Sequence, residues 1–297
     1  MAEADRIVAF VDEAGEKGFS RKLTEARDDG VGLLCSLSFP SERPDEMRAR
    51  FKPGFDRFAG ACPPDAKPHV ADAFVAGREG WADIARSVRD EFFGLVRELE
   101  LPVIYEARRG RVDRQSHEHR SEIAKKARAG RRSSVRLPER PDGTRLEEAL
   151  ITGLLLKLDA LGETYHDRLV DLCFDETDHL DLFRKHADRV STTGQPRKRT
   201  VKGWDENKKV PVKAEWTFHL RATNVDFPLE AKHIGNLSVV GKSDPLILAV
   251  DMVANHLWRH LTQLSPKAQL NAPSSIAGWR LEDRVWAALD DGIQEFV

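Results

Sequence analysis

Three aspartates stand where side-chain chemistry competes with ordinary structural roles. Asp12 follows the apolar run Ile7-Val8-Ala9-Phe10-Val11 and precedes Glu13, and Asp175 follows Leu172-Cys173-Phe174 and precedes Glu176. Each run therefore delivers an Asp-Glu pair just where its hydrophobic stretch stops. If the two runs are parallel neighbouring strands, ~4.8 Å apart, both aspartates leave the sheet at one edge within reach of a shared cation. The plainer reading of either pair alone is a turn former at a strand end. Asp251 resists that reading, because it interrupts Leu246-Ile247-Leu248-Ala249-Val250 and Met252-Val253-Ala254, a helix apolar on most faces. A lone buried carboxylate is costly and needs a cation or a set of hydrogen-bond donors.

Such carboxylates favour hard cations, Mg2+ or Mn2+, which also bind phosphate oxygens. Two ions ~4 Å apart would activate water and stabilise the leaving oxygen of a phosphodiester, with no covalent nucleophile. Competing motifs are weaker. Gly241-Lys242-Ser243 echoes the end of a P-loop, but the earlier glycine falls one place off, at Gly235. His256 and His260 have zinc-helix spacing without the Glu that follows the first His of the protease motif, which favours core or surface histidines. His117-Glu118-His119 lies among basic residues that suit nucleic acid or solvent. Asp244, between Ser243 and Pro245, reads as a helix N-cap. Lys242, just ahead of that helix, is a candidate phosphate contact.

The elements that must position these residues follow from hydrophobic spacing. Strands are expected at Arg6 to Val11, continuous enough to be central, and at Val31 to Phe39 in a hairpin-like return. Trp81, Ile84, Val88, Phe92, Leu95, Val96 and Leu99 predict a helix over Glu79 to Glu100, stopped by Pro102, with a short strand at Leu101 to Tyr105. Thr144 and Glu147 form a capping-box pattern ahead of a helix ended by Gly162. Beyond it the pattern predicts a strand at Arg168 to Phe174, a helix at His179 to Val190, strands at Glu215 to Arg221 and Pro228 to His233, and a helix from Pro245 to Leu261. Leu281, Val285, Trp286, Leu289 and Ile293 predict a closing helix. Alternating strands and helices imply an α/β fold, a mixed sheet flanked by helices. At 297 residues the chain is expected to form a single decorated domain over 1–297.

Net charge is −2, but its distribution is uneven. Residues 107–140 hold twelve Lys or Arg against four acids, and residues 195–213 hold seven against two, leaving about −15 on the remainder. Both segments lack apolar periodicity, so the first reads as a basic insertion or arm, with a short helix near Ser121 to Arg128, and the second as a basic loop. Clustered cations gain by releasing counterions from a phosphate backbone, and Arg128, Arg131 and Arg132 are the candidate contacts. A solvated surface is the competing account.

Phe10-Val11-Asp12-Glu13-Ala14-Gly15, Phe174-Asp175-Glu176 and Ser243 with Leu248-Ala249-Val250-Asp251-Met252-Val253 together resemble the bacterial domain-of-unknown-function family 3800. The likeness runs from about Ile7 to His260. It implies a ribonuclease H-like fold with a carboxylate cluster, in which Asp12, Asp175 and Asp251 are catalytic metal ligands. Ala14 stands where that family usually has Ser. The family's further acidic motif is matched best by His69-Val70-Ala71-Asp72, with Lys67 where an acid is expected. Asp72 is the candidate fourth ligand and Glu13 the next. The basic segment at 107–140 is an elaboration of this chain.

These readings converge on a bacterial metal-dependent nuclease using Mg2+ or Mn2+ and acting on RNA or DNA. Two rivals are a non-catalytic nucleic-acid-binding or complex-forming subunit, and a metal-dependent phosphatase. Nucleic acid is the expected partner, with a protein partner or homo-oligomer left open. No apolar stretch approaches ~18 residues and the first residues lack signal-peptide order, so no membrane contact and a cytoplasmic location are expected. Three widely spaced cysteines, Cys35, Cys62 and Cys173, suit a reducing compartment.

Overall fold

The computed structural model describes residues 6–15, 30–110, 135–136, 146–175, 180–191, 197–205, 207–218, 231–265, 279–282 and 286–289. Its strands are β1 (Arg6–Gly15), β2 (Val31–Pro40), β3 (Val103–Arg109), β4 (Val135–Arg136), β5 (Leu169–Phe174), β6 (Arg197–Asp205), β7 (Val210–Phe218), β8 (Ile234–Val239), β9 (Trp279–Glu282) and β10 (Trp286–Leu289). The helices are α1 (Pro44–Gly60), α2 (Val70–Ala73), α3 (Glu79–Glu98), α4 (Leu146–Thr164), α5 (Leu180–Val190) and α6 (Pro245–Gln263). One sheet has the order β8-β5-β1-β2-β3-β10-β9, and a separate sheet has the order β4-β6-β7. The larger sheet is mixed, because β1 runs antiparallel to β2 and parallel to β5, and β5 runs parallel to β8. The chain is therefore α/β, with a mixed sheet flanked by helices.

Side-chain alternation along the central strands divides the core in two. Phe10, Leu33, Cys35 and Leu37 join a cluster with α1, α3 and α6, while Ile7, Ala9, Val11, Leu34 and Ile104 join one with α4 and α5. Both faces of β1 are covered, which explains its unbroken hydrophobic run. Across the sheet, Arg6 donates to both carboxylate oxygens of Asp171 at 2.6 and 2.7 Å, and Asp171 also accepts from the Asn236 amide at 2.6 Å. One carboxylate thus ties β1, β5 and β8 at the end opposite the aspartates of interest.

Several expectations change. The basic segment at 195–213 is not a loop: β6 and β7 pair antiparallel from Arg197↔Phe218 to Asp205↔Val210. Val201, Val210, Val212 and Trp204 among its lysines supply strand-forming residues that the charge count obscures. The closing helix is replaced by β9 and β10, with Ala287 of β10 pairing Val103 of β3. A sheet edge offering unpaired N–H and C=O groups outweighs a helical spacing of few residues. Val285 and Ile293 of that pattern lie outside the described residues, as do Thr144, the Ser121 to Arg128 helix, and Arg128, Arg131 and Arg132 themselves. The strand expected to close at His233 instead begins at Ile234, and α4 continues past Gly162 to Thr164. Helix α1 has Pro44 at its start, Asp45 and Glu46 in its first turn, and buries Met47, Phe51 and Phe58. Its periodicity is masked in the sequence by Pro53 and Gly54.

β1 stops at Gly15, whose φ of +91° belongs to the region glycine favours. A Cβ there would lie 2.2 Å from both Trp258 Nε1 and the Val31 carbonyl oxygen, two atoms already joined by a 3.0 Å hydrogen bond. Gly15→Ala is expected to cost more than about 2 kcal/mol through strain and displacement of this bond, read as a lower urea midpoint at unchanged slope. A midpoint equal to the parent's would contradict that account.

Candidate functional site

Register and alternation decide which acids meet. β1 and β5 pair in parallel with Phe10 opposite Cys173 and Val11 opposite Phe174, so Asp12 and Asp175 are the next residues on adjacent strands. Phe10 and Cys173 both belong to the core on the α6 side, and two-residue alternation assigns Asp12 to that side. Helix α6 packs on that face and carries Asp251, whose charge acts on Asp12 together with those of Asp175 and Glu13. The parallel-neighbour condition posed from sequence is thus met. Glu13 falls to the other side of β1 by the same alternation.

Asp251 is 4% exposed and is held by donors from two directions. Its Oδ2 accepts from the Val70 backbone amide at 3.0 Å, and its Oδ1 accepts from Asn255 Nδ2, one helical turn on, at 2.6 Å. His69 Nε2 lies 3.7 Å from Oδ2. The Ala71 amide donates to His69 Nδ1 at 3.2 Å, so in the neutral ring the proton sits on Nε2 and faces Asp251. The segment 69–72 therefore reaches the site through His69 and Val70. The backbone carbonyl of Asp72, the candidate fourth ligand, accepts from Arg78 at 3.0 Å, and the charge of Asp72 adds to the burial that raises Cys62. His69 and Asn255 were missed by sequence reasoning. Asn255 had a legible signal, since a polar residue four positions after Asp251 shares its helix face.

Burial raises the carboxyl of Asp12 well above its ordinary value, and the charges of Asp251 and Asp175 raise it further. Burial raises Asp251 too, while His69, the Val70 amide and hydrogen bonds from Asp12 and Asn255 hold it down. The pair is best described as Asp12 keeping its proton and donating it to Asp251. Two unit charges ~4 Å apart at an effective dielectric of about 20 repel by ~4 kcal/mol, more than a charged hydrogen bond returns, so retaining the proton wins. Cys35, opposite Asp12 on β2, is pushed up by burial and by that same acid.

Asp175 sits one residue beyond β5, its side chain 30% exposed, with Lys242 Nζ 3.7 Å from its Oδ2. The Val240 amide donates to the Phe174 carbonyl at 2.8 Å, bringing the loop after β8 alongside Asp175. Lys242 is thereby placed on a site carboxylate. Asp244 caps α6, accepting from the Leu246 amide at 3.0 Å, and also receives Arg48 Nε at 2.8 Å. His256 is buried against Phe93, its ring pushed down to about 4 by burial and by Arg89, and His260 is buried and lowered likewise. Both are core histidines.

Among the described residues, no group of three or more His, Cys, Asp or Glu side chains forms a ready-made metal site. The chemistry of the donor set nevertheless fits a hard divalent cation. Asp12, Asp251 and Asp175 are all-oxygen donors already coupled through charge, and the positive charge that offsets them comes from a proton and from the Lys242 ammonium. Compared with known proteins, the chain matches no family model, no curated protein and no solved structure. No described helix is long and apolar enough to cross a membrane.

Because Asp12 is raised in the folded state, the native protein holds a proton that the unfolded chain releases above its ordinary value of 3.8. Stability in chelator should therefore fall as pH rises from there through the raised native value, by up to ~1.4 kcal/mol per pH unit for one proton. Asp12→Asn, whose amide still donates to Asp251, should flatten that decline and melt higher than the parent near pH 7. Melting curves from pH 4.5 to 8 test this, and an unchanged pH dependence in the variant would sink it.

Proposed function

We propose that this chain is a metal-dependent nuclease of the ribonuclease H-like kind, as its resemblance to the bacterial family 3800 implies. The observation that carries the reading is the parallel register of β1 and β5, which sets Asp12 beside Asp175 on the face where α6 brings Asp251. Mixed strand order, one aspartate from the first strand, one from the end of the parallel strand β5 and one from α6 are the set that the resemblance calls for.

Asp12, Asp251 and Asp175 would hold Mg2+ or Mn2+, with Glu13 close enough in charge to add to the site's field. When bound, the ion supplies an activated water and neutralises charge on the phosphate. The chain's own groups do the rest. Val70, Asn255 and His69 orient Asp251 and keep its two oxygens from rotating. Lys242, its side chain 44% exposed beside Asp175, would meet a phosphate oxygen of the substrate. Loss of the Asp12 proton on cation binding makes affinity rise with pH. A cytoplasmic location with RNA or DNA as partner belongs to the same proposal.

Purified protein should cleave labelled RNA or DNA with Mn2+ and fail to do so with chelator. Asp12→Asn and Asp175→Asn should each lower the rate by roughly a thousandfold or more, the loss of several kcal/mol of charge stabilisation, while melting no lower than the parent in chelator. Full activity in either variant would remove the site. Turnover of p-nitrophenyl phosphate without cleavage of polynucleotide would mark a phosphatase instead.

A further inference from the structure

Two basic segments separated by more than fifty residues in the chain meet in the smaller sheet. β4 comes from the first segment and β6 with the start of β7 from the second, joined by Val135↔Asp205 and Arg136↔Trp204. Alternation then sorts the residues by face. Val201, Val212, Ala214, Trp216 and Val135 share one face with Arg197 and Arg199. Lys198, Lys202, Trp204, Lys213 and Arg136 share the other, with Glu215 the one acid at its register positions.

Three features of the second face point to a ligand. Lys202 stands directly opposite Lys213, an arrangement of like charges that destabilises a sheet unless an anion lies across it. Trp204 is 42% exposed, at the register position of Arg136 and on the face that Lys202 and Lys213 share. The nearby Asp205 falls on the first face, level with Val135 and Val210, and its Oδ1 accepts from the Asn207 and Lys208 amides at 2.9 and 3.1 Å. That turn leaves Lys208 and Lys209 exposed at the tip, with Lys209 at φ 57°.

We propose that this face of β4-β6-β7 binds a single-stranded polynucleotide, its phosphates on Lys202, Lys213 and Arg136 and an unstacked base on the Trp204 indole. A repeated anion whose flat apolar bases are free to leave the backbone answers both features at once. Duplex bases are stacked on each other and offer Trp204 no face. The proposal rests on the nuclease reading only for its choice of polyanion over an anionic lipid surface, and it specifies that reading's substrate as single-stranded.

The test is fluorescence anisotropy in chelator, using labelled oligothymidylate and oligouridylate of about twelve nucleotides, within the usual site size for such surfaces, and a duplex of equal length. Trp204→Ala should weaken binding of one or both single strands by roughly 5- to 150-fold and leave duplex affinity unchanged. Lys202→Gln/Lys213→Gln should lower the log-log salt slope by about 1.4, two single-strand phosphate contacts. Lys213→Gln alone, at an exposed position, should lower it by about 0.7, and unchanged melting checks that each variant folds. Unaltered single-strand affinity in Trp204→Ala, or equal losses on strand and duplex, would overturn the proposal. So would binding to phosphatidylserine vesicles in preference to either oligonucleotide. Because binding is read without metal, a parent protein that binds strands in this way but never cleaves them with Mn2+ would remove the nuclease reading and leave this surface in place.

Discussion

Burying carboxylates against one another is the constraint on which the rest of the site depends. Asp12 lies within β1, just past the residues that pair with β5, and Asp251 lies in a helix that is apolar almost all round. Each alone would be expensive to desolvate, and together they repel. The fold answers with hydrogen-bond donors: the Val70 amide, the Asn255 side chain and a shared proton, with Lys242 on the neighbouring Asp175. These are weak substitutes for a doubly charged ion, because a proton satisfies one oxygen and an ammonium 3.7 Å away supplies a single charge. On the proposed reading the site would exchange both for a cation, which a core built only for stability has no reason to do.

That arrangement explains features otherwise scattered through the chain. Val70 and His69 reach Asp251 because α2 starts there, with His69 as its cap and Val70 at its first position, where the backbone amide has no acceptor within the helix. Gly15 lets β1 end beneath Trp258 of the same helix that carries Asp251. The Arg6 and Asp171 pair holds β1 and β5 in register at the far end of the strands, and a one-residue slip there would send Asp12 to the opposite face of the sheet.

The smaller sheet shows how charge counting and strand pairing describe different things. As a string, residues 195–213 are a basic run with turn residues at its edges, and the total gives no reason to expect order. As paired strands, the same residues divide into a face that collects the valines together with Arg197 and Arg199 and a face that collects Lys198, Lys202, Trp204 and Lys213, and the division follows from the register that sets Lys202 level with Lys213 and Trp204 with Arg136. Cross-strand register carries that information: Lys202 and Lys213 are near neighbours in the chain, while Arg136 comes to Trp204 from a distant segment.

What the sequence by itself determined is local. Apolar runs placed β1, β2 and β5, helical spacing placed α3 and α6, and each strand's last apolar residue marked where Asp12 and Asp175 would emerge, because side-chain periodicity is written directly in neighbouring residues. Asp251 was conspicuous for the same reason, as a charge in a helix with nowhere wet to face. Only the tertiary structure decided the partners. Nothing near Asp251 in the chain shows that the Val70 amide and His69, some 180 positions earlier, would hold it and that the charge of Asp72 beside them would add to the burial that raises Cys62. Nothing in Leu281 to Leu289 shows that the open edge of β3 would draw it into a strand. Hydrogen bonds and ion pairs between distant segments are set by which backbone groups remain unsatisfied after the sheet and helices have packed, and that is a property of the assembled fold.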